Sequence, residues 1–201
     1  MAKKNADPRI SEIKRQTAET LINAKLNLDG NGEYKIDTGI GFFDHMLEGF
    51  ARHGYFDLNL SCEGDLLVDG HHSVEDCGIV LGNAIKDALD DKEGICRYGH
   101  CILPMDDALV LCAIDLCGRP YFEYDAAFPT ERIGYLDTEL IREFFYAVSY
   151  SAAMNLHIRV LSGLNSHHIC EAMFKSFAKS LDMATGFDPR LSSVLSTKGS
   201  L

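Results

Sequence analysis

The sequence predicts an α+β protein built from two copies of one two-layer unit, each a mostly antiparallel sheet with helices on one face. A His-His-x-x-Glu motif occurs twice, at 71–75 and 167–171, and each copy opens a segment with helical apolar spacing. Strand-like alternation precedes each copy, and the elements before the two motifs follow the same order. Units duplicated in this way are expected to be related by pseudo-twofold symmetry and to bury their apolar faces in layers.

The elements of the first half follow from its apolar periodicity and its turn residues. Alternation of apolar and polar residues predicts strands, a period near 3.6 predicts helices, and Gly with Asn or Asp predicts turns. The predicted elements are, in order, a strand at 21–28, a turn at 29–32, a helix from Phe42, a strand at 57–60 and a motif helix that continues over 78–89.

The second half repeats most of this order. Its predicted elements are strands at 108–115 and 121–124 around a turn at 118–120, a helix from Ile141, a strand at 156–160 and a motif helix that continues over 172–181. The boundary is predicted near 90–95, which gives a first half at 1–93 and a second half at 94–201 that includes a C-terminal substrate-binding tail. The alternative is that the two halves are alike by coincidence.

Composition limits the class of protein. The chain has 201 residues, of which 46% are hydrophobic, so a sizeable core can form. A net charge of −11 argues against binding of nucleic-acid phosphates. No apolar run approaches the roughly 20 residues that span a membrane, and residues 1–8 lack the apolar run of a secretory signal. Seven cysteines without a Cys-x-x-Cys motif are expected to be reduced thiols of a cytoplasmic protein.

The doubled motif predicts a metal site. Positions i and i+3 or i+4 share one face of a helix, so each glutamate lies beside both histidines of its motif. Neutral imidazoles and carboxylates suit a divalent transition metal such as Mn, Fe or Zn. Consecutive histidines diverge by about 100° on a helix, so each of two metals is expected to draw ligands from both copies. The motif groups are His71, His72 and Glu75, and His167, His168 and Glu171.

One further ligand candidate precedes each motif. His45 lies 26 residues before His71, and Glu143 lies 24 residues before His167. Asp44, next to His45, is a candidate partner for a histidine ring because metal-binding imidazoles usually donate their second N–H to a carboxylate or carbonyl. A single His-His pair is more often an ordinary surface or core feature, so the repetition of the same spacing is what favours metal binding.

Six segments of the chain resemble the imidazoleglycerol-phosphate dehydratase family of histidine biosynthesis. They are residues 42–47, 69–76, 104–107, 118–120, 165–172 and 196–199, and the resemblance extends from about Ile10 to the C-terminus. It implies a carbon–oxygen hydro-lyase that removes water from D-erythro-imidazole-glycerol 3-phosphate and produces imidazole acetol phosphate. It also implies a homo-oligomeric shell of 24 subunits, with active sites between subunits.

The resemblance implies two Mn²⁺ ions per active site. One would be held by His45, His72, His167 and Glu171, and the other by His71, Glu75, Glu143 and His168. Many family members have His at the position of Glu143, but a carboxylate also suits Mn²⁺, so the second site is expected to remain. The alternative is that Glu143 is an ordinary exposed helix residue.

The resemblance further implies which residues contact the substrate. Glu19, His45 and Glu171 are the predicted catalytic groups, because the reaction needs proton transfer. The phosphate of the substrate requires cations in an acidic chain, and Arg offers its oxygens a bidentate fork. The predicted substrate-binding residues are Glu19, His45, His53, Arg97, Arg119, Lys175, Ser196, Thr197 and Lys198. Leu195 stands where the family usually has Pro.

Two other functions remain open at this point. A dinuclear metallohydrolase or di-iron oxidase would share carboxylate and histidine ligation on helices, although the di-iron form expects Glu-x-x-His on four long helices. A non-catalytic metal-storage or assembly protein would need no phosphate site. The four dispersed cations favour a phosphorylated small substrate over that last function.

Overall fold

The computed structural model describes residues 8–199, so both outer ends of the predicted halves 1–93 and 94–201 lie outside the described residues. The first half contains β1 (Ile10–Gln16), β2 (Thr20–Asn27), β3 (Tyr34–Asp37), α1 (Gly41–Gly54), β4 (Asp57–Gly64) and α2 (His71–Leu89). The second contains β5 (Tyr98–Met105), β6 (Ala108–Asp115), β7 (Tyr121–Asp125), β8 (Arg132–Ile133), β9 (Leu136–Asp137), α3 (Glu139–Ser151), β10 (Asn155–Ser162) and α4 (Ser166–Thr185).

Each half forms one four-stranded sheet with the same topology. The strand orders are β1-β2-β4-β3 and β5-β6-β10-β7. In each sheet two neighbouring pairs are antiparallel and the last pair, β3 with β4 or β7 with β10, is parallel. The parallel pairs arise because a helix, α1 or α3, connects their two strands. The predicted duplicated α+β fold is confirmed, with one parallel pair in each sheet.

The prediction of two strands before the first helix of each half was wrong, because the four-stranded sheet of each half has three strands there and the second half adds the short β8–β9 hairpin. The edge strand β1 was missed: of its inward positions Ser11, Ile13 and Arg15, only one is apolar, so its alternation is weak. The first strand of the second half, β5, was missed as well. The short β3 has Ile36 as its one aliphatic residue. Edge strands bury less surface than central ones, and their sequence pattern is correspondingly poorer.

Equivalent elements of the two halves are separated by two different numbers of residues. β5 and β6 begin 88 residues after β1 and β2 (Tyr98 against Ile10, Ala108 against Thr20), whereas α3 begins 98 residues after α1 (Glu139 against Gly41). The hairpin β8–β9 between β7 and α3 occupies the additional length. His45 and Glu143 are therefore equivalent positions, each the fifth residue of its helix.

The helices of the two halves pack against each other between the sheets. α1 and α2 cover the first sheet, α3 and α4 cover the second, and α2 contacts α3 while α1 contacts α4. Two glycines allow the close approach of α2 to α3: a Cβ at Gly78 would lie 2.7 Å from the Phe144 carbonyl oxygen, and one at Gly82 would lie 2.7 Å from that of Val148. This helix-to-helix packing places the start of α4 beside α1.

Most of the cysteines lie in the interior of the protein. All seven cysteines are free thiols, and five of them, Cys62, Cys77, Cys112, Cys117 and Cys170, are buried. Burial raises the pKa of Cys112 to about 12. Within residues 8–199, the structure contains no helix with both the length and the apolar character that a membrane span requires.

Asp57, the first residue of β4, organises the turn before β3. Its Oδ1 accepts the backbone N–H groups of Asn31 (2.8 Å) and Glu33 (3.1 Å), and its Oδ2 accepts the side-chain amide of Asn27 (3.2 Å). Partial burial alone would raise the pKa of Asp57, but these N–H donors outweigh it and hold the pKa below the ordinary value of 3.8. The folded state therefore favours the ionised carboxylate.

We expect Asp57→Asn to lower the free energy of unfolding by about 2 kcal/mol at pH 7, because hydrogen bonds to a charged group are lost. Because the pKa of Asp57 is lower in the folded than in the unfolded state, its ionisation stabilises the fold at pH values above the unfolded-state pKa. This stabilisation is lost as the pH falls through the folded-state pKa. The difference from wild type should therefore shrink below pH 3.8. Urea denaturation at neutral and acidic pH measures it, with Glu63→Gln on the same strand as the control. An equal difference at both pH values would contradict this assignment.

Candidate functional site

Three predicted metal ligands meet where α1 packs against α4. His45 comes from α1, His167 and Glu171 come from α4, and one ligand atom of each lies within 4.8 Å of the other two. His167 Nε2 is 3.2 Å from Glu171 Oε2. Within the described part of the chain, 8–199, this is the only group of three or more His, Cys, Asp or Glu side chains that approach so closely. Two imidazoles and a carboxylate form a donor set that fits a divalent transition metal.

Local structure at the start of α4 presents this group. The side chain of Asn165 caps the helix by accepting the N–H groups of His167 (2.9 Å) and His168 (3.3 Å). His167 and Glu171 are four residues apart and so share a helix face. The ring of Phe42 packs edge-on against His167 with centroids 5.0 Å apart, which helps to fix that imidazole beside His45.

Glu171 is kept as a carboxylate by its cationic neighbours. Its side chain is only 12% exposed, and Lys175 Nζ lies 2.7 Å from Oε1. Partial burial alone would raise the pKa of Glu171, but the hydrogen bond and charge of Lys175, with the charges of His45 and His167, lower it overall. Glu171 is therefore ionised near neutral pH and available as an anionic ligand.

His53 lies within electrostatic reach of this cluster. Its pKa is lowered by burial first and by the positive charge of Lys175 second, while Glu171 opposes the shift. Its backbone carbonyl accepts a hydrogen bond from Lys179 Nζ at 2.9 Å. The structure thus places the predicted substrate contact His53 within electrostatic reach of two other predicted site residues, Lys175 and Glu171.

The first motif has different surroundings. His71 Nε2 is 3.8 Å from Glu75 Oε2, and both side chains are more than 40% exposed. His72 faces Asp65, whose two carboxylate oxygens lie 3.0 and 3.2 Å from Nδ1, and its Nε2 is 3.7 Å from Glu19 Oε1. The hydrogen bond to Asp65 raises the pKa of His72. The predicted catalytic residue Glu19 therefore lies beside a predicted metal ligand.

The second histidine of the second motif has an equivalent arrangement. His168 Nδ1 lies 2.6 Å from Asp107 Oδ1, and its Nε2 lies 3.4 Å from Asp106 Oδ2. The hydrogen bond to Asp107 raises the pKa of His168 and holds the pKa of Asp107 well below its usual range. Asp107 Oδ2 also accepts the backbone N–H groups of Leu164 and Asn165.

One chain does not bring either predicted set of four ligands together. Glu143 Oε1 pairs instead with Arg142 Nη1 at 3.1 Å. Asp44 Oδ1 accepts the backbone N–H (2.8 Å) and hydroxyl (2.5 Å) of Thr38, so its side chain closes the turn between β3 and α1. Among residues 8–199 of one chain, the structure shows no hydrogen bond between Asp44 and a histidine ring.

The predicted phosphate-binding cations lie in three parts of the structure. Lys175 lies beside the group of His45, His167 and Glu171. Arg97 instead holds the tail: its Nη1 donates to the Leu195 carbonyl at 2.7 Å, and its Nε and Nη2 donate to Asp115 at 2.7 and 3.1 Å. Arg119 is exposed in the turn after β6. The tail residues that follow Leu195 are the predicted substrate-binding Ser196, Thr197 and Lys198, which form a turn with Gly199 N donating to the Ser196 carbonyl.

Sequence reasoning assigned no role to Asp65, Asp106 or Asp107. The duplication contains a signal for Asp107, since it lies 88 residues after Glu19, the same spacing that separates β6 from β2. Both residues occupy the turn before the second strand of their sheet, and both face the second histidine of a motif. No comparable sequence signal identifies Asp65.

Known proteins resemble the chain over most of its length. Residues 38–181 match the family model of imidazoleglycerol-phosphate dehydratase. The chain is 63% identical over 193 residues to the dehydratase of that name from Lachnoclostridium phytofermentans, covering 96% of this chain and 98% of that protein. It is 55% identical over 190 residues to the one from Acetivibrio thermocellus, covering 94% of this chain and 97% of that protein.

Solved structures give the same result. The imidazoleglycerol-phosphate dehydratase of Staphylococcus aureus superposes with a TM-score of 0.81 at 37% identity and covers 89% of this chain and 99% of that one. The enzyme from Pyrococcus furiosus superposes with a TM-score of 0.82 at 35% identity and covers 94% of this chain and 100% of that one. The chain therefore belongs to the imidazoleglycerol-phosphate dehydratase family and is a carbon–oxygen hydro-lyase.

Proposed function

We propose that the chain dehydrates D-erythro-imidazole-glycerol 3-phosphate to imidazole acetol phosphate in a reaction that depends on Mn²⁺. The observation that supports this most directly is the group of His45, His167 and Glu171, with Lys175 bonded to the glutamate, in a chain of this family. Imidazole and carboxylate ligands beside a cation suit a metal enzyme acting on a phosphorylated substrate.

We propose that two Mn²⁺ ions bind at each active site. When bound, Mn²⁺ would act as a Lewis acid that stabilises the negative charge developing on the substrate. The grouped side chains of His45, His167 and Glu171 are three of the proposed donors, and the other five come from the two motifs and from Glu143 of α3. One ion would be held by His45, His72, His167 and Glu171, and the other by His71, Glu75, Glu143 and His168.

The distribution of these ligands supports sites that are completed by a second subunit. Among residues 8–199, His45, His167 and Glu171 form the only group of three or more candidate ligands whose ligand atoms lie within 4.8 Å of one another. Glu143 is instead directed to Arg142 and remains about one-third exposed. We therefore propose a homo-oligomer in which copies of the chain supply the missing ligands, and we adopt 24 subunits as its expected size. Metal binding and assembly would then be coupled.

The protein's own contribution to proton transfer rests on its carboxylates. The hydrogen lost lies on a carbon next to the imidazole of the substrate and is weakly acidic, so a positioned base is needed. Glu171, kept ionised by Lys175, and Glu19, half exposed beside His72, are the candidates. His45 lies beside Glu171 in the same group and completes the catalytic set.

The phosphate of the substrate is assigned to the cations and hydroxyls near the tail. Arg97 binds the Leu195 carbonyl and so holds Ser196, Thr197 and Lys198 next to a fixed positive charge. Arg119 and Lys175 are the other cations proposed to contact the substrate, with His53 beside Lys175. Backbone N–H groups and hydroxyls beside Arg or Lys are common phosphate ligands.

The test is turnover of imidazole-glycerol phosphate by metal-stripped protein, with and without added Mn²⁺, while particle mass is recorded. Mn-dependent turnover together with growth into a large particle supports both the reaction and the shared sites. Assembly without turnover would reject the reaction and leave a metal-dependent assembly protein. Activity that required oxygen would instead favour the di-iron oxidase considered from the sequence.

Glu143 provides a prediction about the second metal. We expect Glu143→Ala to weaken one class of Mn²⁺ site by about tenfold or more, roughly 1.4 kcal/mol, because an anionic ligand is lost. Glu143→His should retain that site, since imidazole also ligates Mn²⁺. Titration of bound Mn²⁺ by electron paramagnetic resonance measures this, and Glu139→Ala on the exposed start of the same helix is the control. Unchanged binding in Glu143→Ala would show that Glu143 is not a ligand.

A further inference from the structure

The second histidine of each motif is held by an aspartate from outside the motif. His72 Nδ1 lies 3.0 Å from Asp65, in the segment after β4, and His168 Nδ1 lies 2.6 Å from Asp107, in the β5–β6 turn. The first histidines differ, because His71 and His167 direct Nε2 to the glutamates of their own motifs. Within residues 8–199, therefore, only the second histidine of each motif copy has an aspartate beside its Nδ1 atom.

This contact determines which nitrogen of a neutral ring carries the proton. An ionised carboxylate can only accept hydrogen bonds, so Nδ1 must be the N–H group, which leaves the lone pair on Nε2. On the Nε2 side the nearest carboxylate oxygens belong to Glu19, at 3.7 Å from His72, and Asp106, at 3.4 Å from His168. These separations exceed ordinary hydrogen-bond lengths, and both lone pairs face negative charge across a gap.

We propose that Asp65 and Asp107 are positioning residues that fix the ring orientation and tautomer of His72 and His168, so that Nε2 is presented to a divalent cation. This inference rests on the proposed function, since it takes the two histidines as metal ligands. Carboxylates that bind the outer nitrogen of a ligating histidine typically change metal affinity by about 10–100-fold when they are removed.

The two aspartates differ in how their carboxylate oxygens are used. Asp107 divides its oxygens: Oδ1 meets His168, while Oδ2 accepts the N–H groups of Leu164 and Asn165. In Asp107→Asn the amide oxygen must keep the backbone bonds, so its NH₂ group would face His168 Nδ1. That donor forces Nδ1 to accept and moves the ring proton to Nε2, where it blocks ligation.

The two carboxylate oxygens of Asp65 are not divided between different partners. Both of its oxygens approach His72 Nδ1, at 3.0 and 3.2 Å. An asparagine at this position can therefore turn its amide oxygen to His72 and preserve the Nδ1–H tautomer. Asp65→Asn and Asp107→Asn remove the same charge beside equivalent histidines, and only the second is expected to reverse the tautomer. Asp65→Asn is thus the charge-matched control.

The experiment measures Mn²⁺ affinity of metal-stripped full-length protein by electron paramagnetic resonance, with imidazole nitrogen NMR on the metal-free protein to report the tautomer. We expect Asp107→Asn to weaken binding at least about tenfold and to shift one histidine to the Nε2–H form. Asp65→Asn should stay within about threefold of wild type and Asp65→Ala should lose about tenfold.

Three results would overturn the inference. The first is wild-type Mn²⁺ affinity in Asp107→Asn, and the second is wild-type Mn²⁺ affinity in Asp65→Ala. The third is equal weakening of Mn²⁺ binding by both asparagine variants, which would show that only the loss of charge matters. The Asp65 variants decide the question if Asp107→Asn does not fold. Failure of the proposed function is distinguishable, because the wild-type protein itself would then bind no Mn²⁺ or would bind it without turnover, whereas failure of the inference is seen only in the aspartate variants.

Discussion

Replacement of Glu171 by Gln is expected to lower kcat/KM by about 10³-fold, which corresponds to a loss of about 4 kcal/mol of transition-state stabilisation. Glu171 is the single carboxylate in the group with His45 and His167, and its other oxygen is bonded to Lys175 at 2.7 Å. The neutral amide removes the anionic ligand and leaves a half-buried lysine without its counter-charge. Steady-state turnover across a range of Mn²⁺ concentrations measures the effect.

The dependence on Mn²⁺ separates two causes of that loss. If Glu171 acts only as a ligand, high Mn²⁺ should restore much of the activity, whereas loss of a proton-transfer group would persist at saturation. Glu123→Gln, which removes an exposed carboxylate on β7 far along the chain from the motifs, is the matched control and should leave turnover unchanged. Wild-type turnover in Glu171→Gln would exclude Glu171 from the catalytic site.

Phe174→Ala is expected to lower the free energy of unfolding by about 3–5 kcal/mol. Phe174 lies in α4, is 1% exposed, and stacks on Phe144 with ring centroids 5.1 Å apart. It also contacts Phe145 at 4.9 Å and Phe43 of the first half at 6.5 Å. Truncation would leave a cavity where helices of the two halves meet, and rings on three sides cannot all move to fill it.

Denaturant unfolding of the metal-free protein measures this loss. Tyr135→Ala, at a side chain that is 90% exposed, is the control and is expected to change the free energy of unfolding by no more than about 0.5 kcal/mol. A loss below about 1 kcal/mol in Phe174→Ala would show that the helix layers separate or repack easily.

Local patterns were sufficient to predict much of the fold. β2, β4, β6 and β10 are central strands whose inward positions are mostly apolar, so the sequence identified each of them as a strand. The motif helices were recognisable for the same reason, because one face of each is buried. The edge strands β1 and β5 were missed because they bury fewer apolar side chains, and their place in the sheet depends on pairing with β2 and β6.

The candidate ligands were predicted from the motif, but their partners were not. His167 and Glu171 lie four residues apart, so helix geometry alone places them together. His45 joins them from a position more than a hundred residues away only because α1 packs against α4. Asp65 and Asp107 meet His72 and His168 through the ends of strands, and nothing in the local sequence specifies those contacts.

The sequence by itself determined the duplication, the α+β class, the repeated motif and the family, because these depend on periodicity and on residue types at short spacing. Only the tertiary structure decided that Asp44 closes a turn, that Arg97 holds the tail through Leu195, and that one chain gathers three of the eight candidate ligands. Side chains far apart in sequence are brought together by packing of whole helices and sheets. That packing depends on buried surface distributed over the entire chain rather than on any single segment.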